Sequence, residues 1–366
     1  MDKVIIFGMG KMFKWHYQEI KEKVEIVAVT DNNLKLQDTL ASESYVKPEK
    51  IKERQYDYVL ICCSAIDDIT NQLYGYGIKK SKIKTLKDFL SEQYHLSRYK
   101  VVEDRRTSMC DLLDYPAFCL AAAQDQSIFK QFRRCGIYTS VVEGMTCEEG
   151  QAQLDEIKKR SSIVQFSMDD WDRFRKNDCY GDPIMYDYLI QPDRKILLSP
   201  VTVRYVKILQ DIVCLFAYKD ISVIAEIGVG FGGQARLIAE YLSIQKYYLI
   251  DIPEAIKLVE VFLGQFGKTD RFILCDGTKP LDKRNYDLVI SNYAFSELTK
   301  EVQDIYLNSV ILNSHAGYMI WNDLGEESLG AYSVEELLEI IPDSKVMEEV
   351  PLTAPNNKLI VWGTKC

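Results

Sequence analysis

The chain lacks several things that would have settled its class at once. It has only three histidines in 366 residues (His16, His95 and His315), widely spread, which argues against a His-rich metal site. Its ten cysteines include no Cys-x-x-Cys pair, and Cys62, Cys63, Cys214 and Cys275 fall inside apolar runs, the pattern of buried reduced thiols. No apolar run approaches the roughly 20 residues needed to cross a bilayer. The N-terminus runs from Lys3 straight into a strand-like stretch without a signal-peptide pattern, and the chain reads as cytoplasmic with no transmembrane segment. There is no basic excess either: 45 Lys and Arg stand against 54 Asp and Glu, a formal charge of -9. Nucleic-acid binding needs clustered cations, so that class is set aside.

What is present is an ordinary globular composition, 47% hydrophobic and 27% charged, in a chain long enough for two or three domains. Residues 1–97 alternate short β-rich runs (KVIIFG, VEIVAVTD, YDYVLICC) with helical stretches, which predicts a small Rossmann-like domain. Residues 98–200 read as a helical linker or cap followed by a loop. Thr146 and Glu149 there have capping-box spacing, and the run from Trp171 to Ser199 has no clean periodicity. From 201 to 366 the alternation returns in SVIAEIGVG, KYYLIDI, RFILCDG, YDLVISNYA, GYMIWND and KLIVWG, predicting a second doubly wound α/β domain.

Both α/β domains open with a strand and a glycine turn. The first, Gly8-Met9-Gly10, carries Phe13 where a dinucleotide fingerprint has its third glycine, yet Asp31 follows Gly8 by 23 residues, near where a ribose would lie. This domain is read as structural or oligomerising on one side, which allows a homo-oligomer, and as a nucleotide site at Gly8, Gly10 and Asp31 on the other. It also resembles, loosely, the nucleotide-sugar-binding domains of bacterial sugar acetyltransferases.

The second turn, Glu226-Ile227-Gly228-Val229-Gly230-Phe231-Gly232-Gly233, has an acid two positions before its first glycine. A carboxylate there would repel a pyrophosphate but suits S-adenosylmethionine, which has no phosphate and carries a cationic sulfonium. Asp251 ends the next strand 23 residues after Gly228, placed for ribose hydroxyls. Asp276 and Gly277 end the third strand, where an adenine amino group would bind, and Ser291-Asn292 end the fourth, flooring the methyl-donor site. With Ile252, these are the expected donor-binding residues.

The run from about Trp171 to the C-terminus resembles the bacterial sugar O-methyltransferase family, S-adenosylmethionine-dependent enzymes associated with surface polysaccharide gene clusters. The matching pieces are Asn177-Asp178, Gly181-Asp182-Pro183, Ser199 to Tyr205, the glycine loop with Gln234, Asp251-Ile252-Pro253 and Ser291 to Leu298. The resemblance implies a C-terminal domain of the class I methyltransferase type and methyl transfer to a sugar or nucleotide-sugar hydroxyl. The first ninety or so residues lie outside it.

An alcohol nucleophile is helped by a group that takes its proton. His315 precedes the fifth strand, hence lies at the amino edge of the sheet, away from ligands. Glu297 is favoured slightly over Asp323, with Tyr293 as a hydrogen-bond donor or weaker base. Glu297 is equally readable as an acid complementing a helix dipole, and alignment without a base stays open. Acceptor binding falls to Asp178, Tyr180, Asp182, Arg204 and Tyr205, with Tyr186 also facing the substrate, since carboxylates and aromatic faces hold sugars and an arginine holds a phosphate. The tyrosines read equally as packing residues, and Arg204 as a helix residue paired to a carboxylate. Two competitors are an NAD-dependent oxidoreductase run from the first domain, against which no Tyr-x-x-x-Lys follows that domain, and an inactive methyltransferase that only binds glycan or nucleotide.

Overall fold

The computed structural model describes residues 1–36, 44–63, 65–101, 107–112, 114–267 and 270–365. The chain forms two compact units. One holds Met1–Tyr99 with Cys135–Ser140, the other Lys100–Arg134 with Val141–Cys366. The segment expected as a linker therefore packs mostly with the C-terminal sheet; Leu113, within its first helical stretch, lies outside the described residues.

In the first unit, β1 (Lys3–Phe7), β2 (Glu25–Thr30), β3 (Tyr58–Ile61) and β4 (Ile83–Thr85) form a four-stranded parallel sheet in the order β2-β1-β3-β4. Four of the five β1 residues are buried, as expected of β-branched runs covered on both faces. Ile5, Phe7, Val59 and Ile61 pack with Ile69 and Leu73 of the helix Ile66–Gly75.

The second unit begins with helices. Cys147–Lys159 is started by the expected box, with Thr146 N donating to Glu149 Oε2 at 2.7 Å and Glu149 N to Thr146 Oγ1 at 3.2 Å. Residues 171–199, expected as an ordered loop, instead hold the end of a helix (Met168–Arg175), a 3-10 turn (Lys176–Cys179) and, after a short irregular stretch, a hairpin of β5 (Tyr186–Gln191) and β6 (Arg194–Leu198). The hairpin turns at Pro192-Asp193, and only Tyr188 and Ile190 of β5 are buried, so its alternation is too short to stand out among Asp and Tyr.

The main sheet comprises β7 (Val223–Ile227), β8 (Lys246–Asp251), β9 (Phe272–Asp276), β10 (Tyr286–Asn292), β11 (Ser314–Trp321), β12 (Lys345–Glu348) and β13 (Lys358–Trp362). Their order is β12-β13-β11-β10-β7-β8-β9, with β7 to β11 parallel and β13 antiparallel to both its neighbours. The chain builds outward from β7 through β8 and β9, then returns to its other side with β10. That reversal makes the carboxyl ends of β7 and β10 a topological switch point, the place where open α/β sheets bind ligands. This is a Rossmann-like α/β architecture in each unit. Among the described residues no helix is long and apolar enough to cross a membrane.

Candidate functional site

The glycine loop follows β7. Gly228, Gly230 and Gly232 have φ of +77°, +56° and +83°, the left-handed region that L side chains avoid. A Cβ at Gly228 would collide with that of Ala294 in the turn after β10, so the glycine also permits a close approach. The loop is bolted to β8: Gly228 N donates to Ile250 O at 2.9 Å, and Asp251 Oδ2 accepts from Val229 N at 2.8 Å and Gly230 N at 3.3 Å. Asp251 Oδ1 accepts from Ile252 N at 2.7 Å, just before the helix Pro253–Gly264. A ribose diol at Asp251 would share oxygens that already hold the loop.

Glu226 does not line the loop's ligand surface as expected. It is 2% exposed and lies beneath the loop, where Tyr247 Oη donates to it at 2.6 Å and Gln234 Nε2 at 3.1 Å. Burial pushes its carboxyl up to about 8 against the lowering effect of those two donors, so at neutral pH it is mostly a neutral brace. Gln234 Oε1 in turn accepts from Asn292 Nδ2 at 2.9 Å, while Asn292 Oδ1 is buried without a partner among the described residues. Ser291 is likewise structural: fully buried, it donates to Ile227 O at 3.2 Å and accepts from Phe295 N at 3.1 Å, tying β10 to β7.

At the end of β9, burial opposes ionisation of Asp276, but Lys279 at 2.8 Å and Thr278 outweigh it and hold the carboxyl below its ordinary range. Gly277 leaves room for Tyr306, whose hydroxyl donates to Gly277 O at 3.1 Å.

Beyond β10 the backbone turns at Tyr293, with φ of +67°. Its hydroxyl donates to Glu349 Oε1 at 2.5 Å and lies 2.7 Å from Thr353 Oγ1, and burial pushes its pKa up. The Tyr293 hydroxyl is thus protonated and engaged with Glu349. Glu297 accepts from Asn322 Nδ2 at 2.6 Å, and burial raises its carboxyl. Asp323 is exposed and accepts from Asn356 Nδ2 at 3.0 Å.

The expected acceptor residues separate. Asp178 is buried and committed: Oδ1 accepts from Arg133 Nη1 at 3.0 Å, Ser199 Oγ at 2.8 Å and Thr202 Oγ1 at 2.8 Å, and Oδ2 from Ser199 N at 2.8 Å. It anchors the start of the helix Pro200–Leu215, with both of its oxygens taken up by protein donors. Tyr180 packs edge-on against Phe262 and Phe266, and exposed Asp182 pairs with Arg134 at 3.1 Å. Tyr205 is buried beside Phe231 of the glycine loop. Arg204 is half-buried, with its guanidinium 5.8 Å from the Tyr205 ring centroid and 5.9 Å from that of Tyr293. Arg133, Arg236 and Tyr247 shape the site although no motif marks them in the sequence. Arg236 Nε reaches Asn177 Oδ1 at 2.5 Å, and Asn177 Nδ2 holds Gly233 O at 2.9 Å, fixing the loop's exit into the helix Gly233–Tyr241.

In the first unit, Gly8 (φ +106°) donates to Thr30 O at 2.9 Å, and Asp31 accepts from Met9 N and from Asn33 N, both at 2.7 Å. A Cβ on Gly8 would lie 2.9 Å from Cys62 O, whereas one on Gly10 would meet nothing within 4 Å. Among the described residues no group of three or more His, Cys, Asp or Glu is placed to hold a metal ion.

A family model described as C2185-like, N-terminal, matches residues 1–84. A search of curated proteins finds no match. Among solved structures, the chain is similar to a SAM-dependent methyltransferase from Aquifex aeolicus, 18% identical over 43% of this chain and 87% of that one, with a TM-score of 0.32. It is similar to the pyocyanin biosynthetic protein PhzM at 14% identity over 43% of this chain and 54% of that one, TM-score 0.32. A third is M. capricolum TrmK in complex with S-adenosyl-homocysteine, 14% identical over 43% of this chain and 66% of that one, TM-score 0.29. Overlaps this loose carry no activity across, and the functional reading rests on the geometry of the site.

Proposed function

We propose that the second unit is an S-adenosylmethionine-dependent methyltransferase that methylates a sugar hydroxyl, as the resemblance to the sugar O-methyltransferases of surface polysaccharide synthesis implies. The observation that carries this reading is the bolted loop of three left-handed glycines at the switch point of the sheet, next to the unpartnered buried acceptor Asn292 Oδ1. A buried acceptor without a donor is costly, and an ammonium group would satisfy it. When bound, S-adenosylmethionine supplies an electrophilic methyl group at its sulfonium.

The chain's own residues divide the remaining work. The backbone of Gly228, Gly230, Gly232 and Gly233 admits the ligand closely, Asp251 and Ile252 face the ribose, and Asp276, ionised at neutral pH, with Gly277 faces the adenine amine. Glu297 is the favoured proton acceptor, because its raised pKa makes it a stronger base than an ordinary carboxylate while Asn322 fixes its orientation. Asp323 is the second choice. A thermal-shift screen tests the reading: S-adenosylhomocysteine should raise the melting temperature, and a shift with NAD but none with S-adenosylhomocysteine would sink it. Glu297→Gln should cut turnover while sparing donor binding; unchanged turnover removes Glu297 from the mechanism.

The first unit supports a second, non-catalytic reading, a nucleotide site at Gly8, Gly10 and Asp31, because its loop amide and strand-end aspartate repeat the arrangement at Val229 and Asp251. A calorimetric titration with UDP checks it, and silence in wild type would leave this unit a structural one.

A further inference from the structure

Arg204 carries a charge that nothing nearby pairs with directly. It lies in the helix Pro200–Leu215, and no acid is within ion-pair distance of it among the described residues. Its Nε is buried without a hydrogen-bond partner among those residues. The acids closest in kind are committed elsewhere. Glu143 accepts from Arg133 Nε at 2.5 Å, Asp178 from Arg133 Nη1, and Glu349 from Tyr293, Thr353 and Asn357. Glu143 does feel Arg204 at longer range, so the plainer alternative is that Arg204 only balances the Arg133–Glu143–Asp178 cluster. Charge balance alone does not explain a buried donor left empty, nor a guanidinium held over two aromatic faces that position it without neutralising it.

Its surroundings say where the charge is offered. Tyr205 touches the glycine loop through Phe231, and Tyr293 directly follows Asn292, so Arg204 borders the proposed donor site on the side of the β10 end. We propose that Arg204 binds an oxyanion on the methyl acceptor, making the substrate an anionic sugar and not a neutral one. This rests on the methyltransferase reading. A planar guanidinium matches both phosphate and carboxylate through paired N–H donors, so the anion is either the phosphate of a nucleotide-sugar or the carboxylate of a sugar acid.

The test uses the full chain saturated with S-adenosylhomocysteine and titrates UDP-galactose, galacturonate and methyl galactoside by calorimetry, alongside labelled-methyl transfer from S-adenosylmethionine to the same three. Binding and turnover with either anionic sugar but not with methyl galactoside is the expected result, and which of the two responds identifies the anion. Arg204→Gln should raise the acceptor KM about tenfold or more while S-adenosylhomocysteine affinity stays within about twofold, and Arg204→Lys should recover only part, since an ammonium lacks the fork. Equal handling of methyl galactoside, no binding of either anionic probe, or an unchanged KM in Arg204→Gln overturns the proposal. If wild type fails to bind S-adenosylhomocysteine, the methyltransferase reading falls and takes this one with it, an outcome separable from the others.

Discussion

The two glycine turns of this chain are built alike and finished differently. In each, the first glycine donates to the carbonyl of the residue just before an aspartate on the neighbouring strand's end, Thr30 or Ile250, and the next residue's amide donates to that aspartate 22 positions on, Asp31 or Asp251. A strand, a tight turn and a carboxylate bolt are therefore shared by both turns, and by themselves do not say which ligand each would take. The difference lies in what surrounds the bolt. The first turn has one left-handed glycine, ordinary extended backbone at Gly10, and the buried Phe13 in the following helix. The second has three left-handed glycines over a polar floor of Glu226, Tyr247, Gln234 and Asn292, with one acceptor left open. A floor of buried polar groups is expensive, and its presence under one turn only is what marks that turn as the proposed donor cradle.

The largest effect that would break this comparison concerns the floor. Because the folded pKa of Glu226 lies near 8, above the ordinary carboxylate value of 4.5, the folded state binds the extra proton. Stability from this group is then full below about pH 4.5 and lost as pH rises towards 8, by at most about 5 kcal/mol. Glu226→Gln, which mimics the protonated acid, should flatten that slope in melting curves taken from pH 5 to 8; an identical slope in both proteins would show that Glu226 is ionised in the fold. Next comes Gly228→Ala, which places a side chain at φ +77° against Ala294 and should cost about 3 kcal/mol from backbone strain and overpacking together, read as a lower melting temperature. Asp251→Asn should weaken S-adenosylhomocysteine binding by roughly ten- to a hundredfold, the worth of a charge-assisted hydrogen bond, while Asp31→Asn leaves it unchanged. At the small end, Gly10→Ala has φ of -74° and open space around the new Cβ, so its melting temperature should move by no more than about 0.5 kcal/mol of stability allows.

Local patterns carried most of this fold into the sequence. Strand ends at Asp251, Asp276 and Asn292 are legible because each closes a β-rich apolar run, and the Thr146 box because its two partners are three residues apart. Roles set by distant partners were not. Asp178 has the polarity of a sugar ligand, but Arg133 and Ser199, 45 and 21 residues away, decide that it anchors a helix. Glu226 has the charge of a cation binder, but Tyr247 and Gln234 bury it as a brace. Neither fact leaves a trace at the residue's own position in the sequence, whereas the vacancy at Asn292 and the bare charge of Arg204 emerge only once every other group has been matched to its partner.

The central claim is that the second turn, not the first, receives the reaction's cofactor. The most direct measurement is the melting temperature of wild type, Asp251→Asn and Asp31→Asn with and without S-adenosylhomocysteine. A rise in wild type and Asp31→Asn that is lost or much reduced in Asp251→Asn is the predicted result. A rise abolished by Asp31→Asn and kept by Asp251→Asn would contradict it.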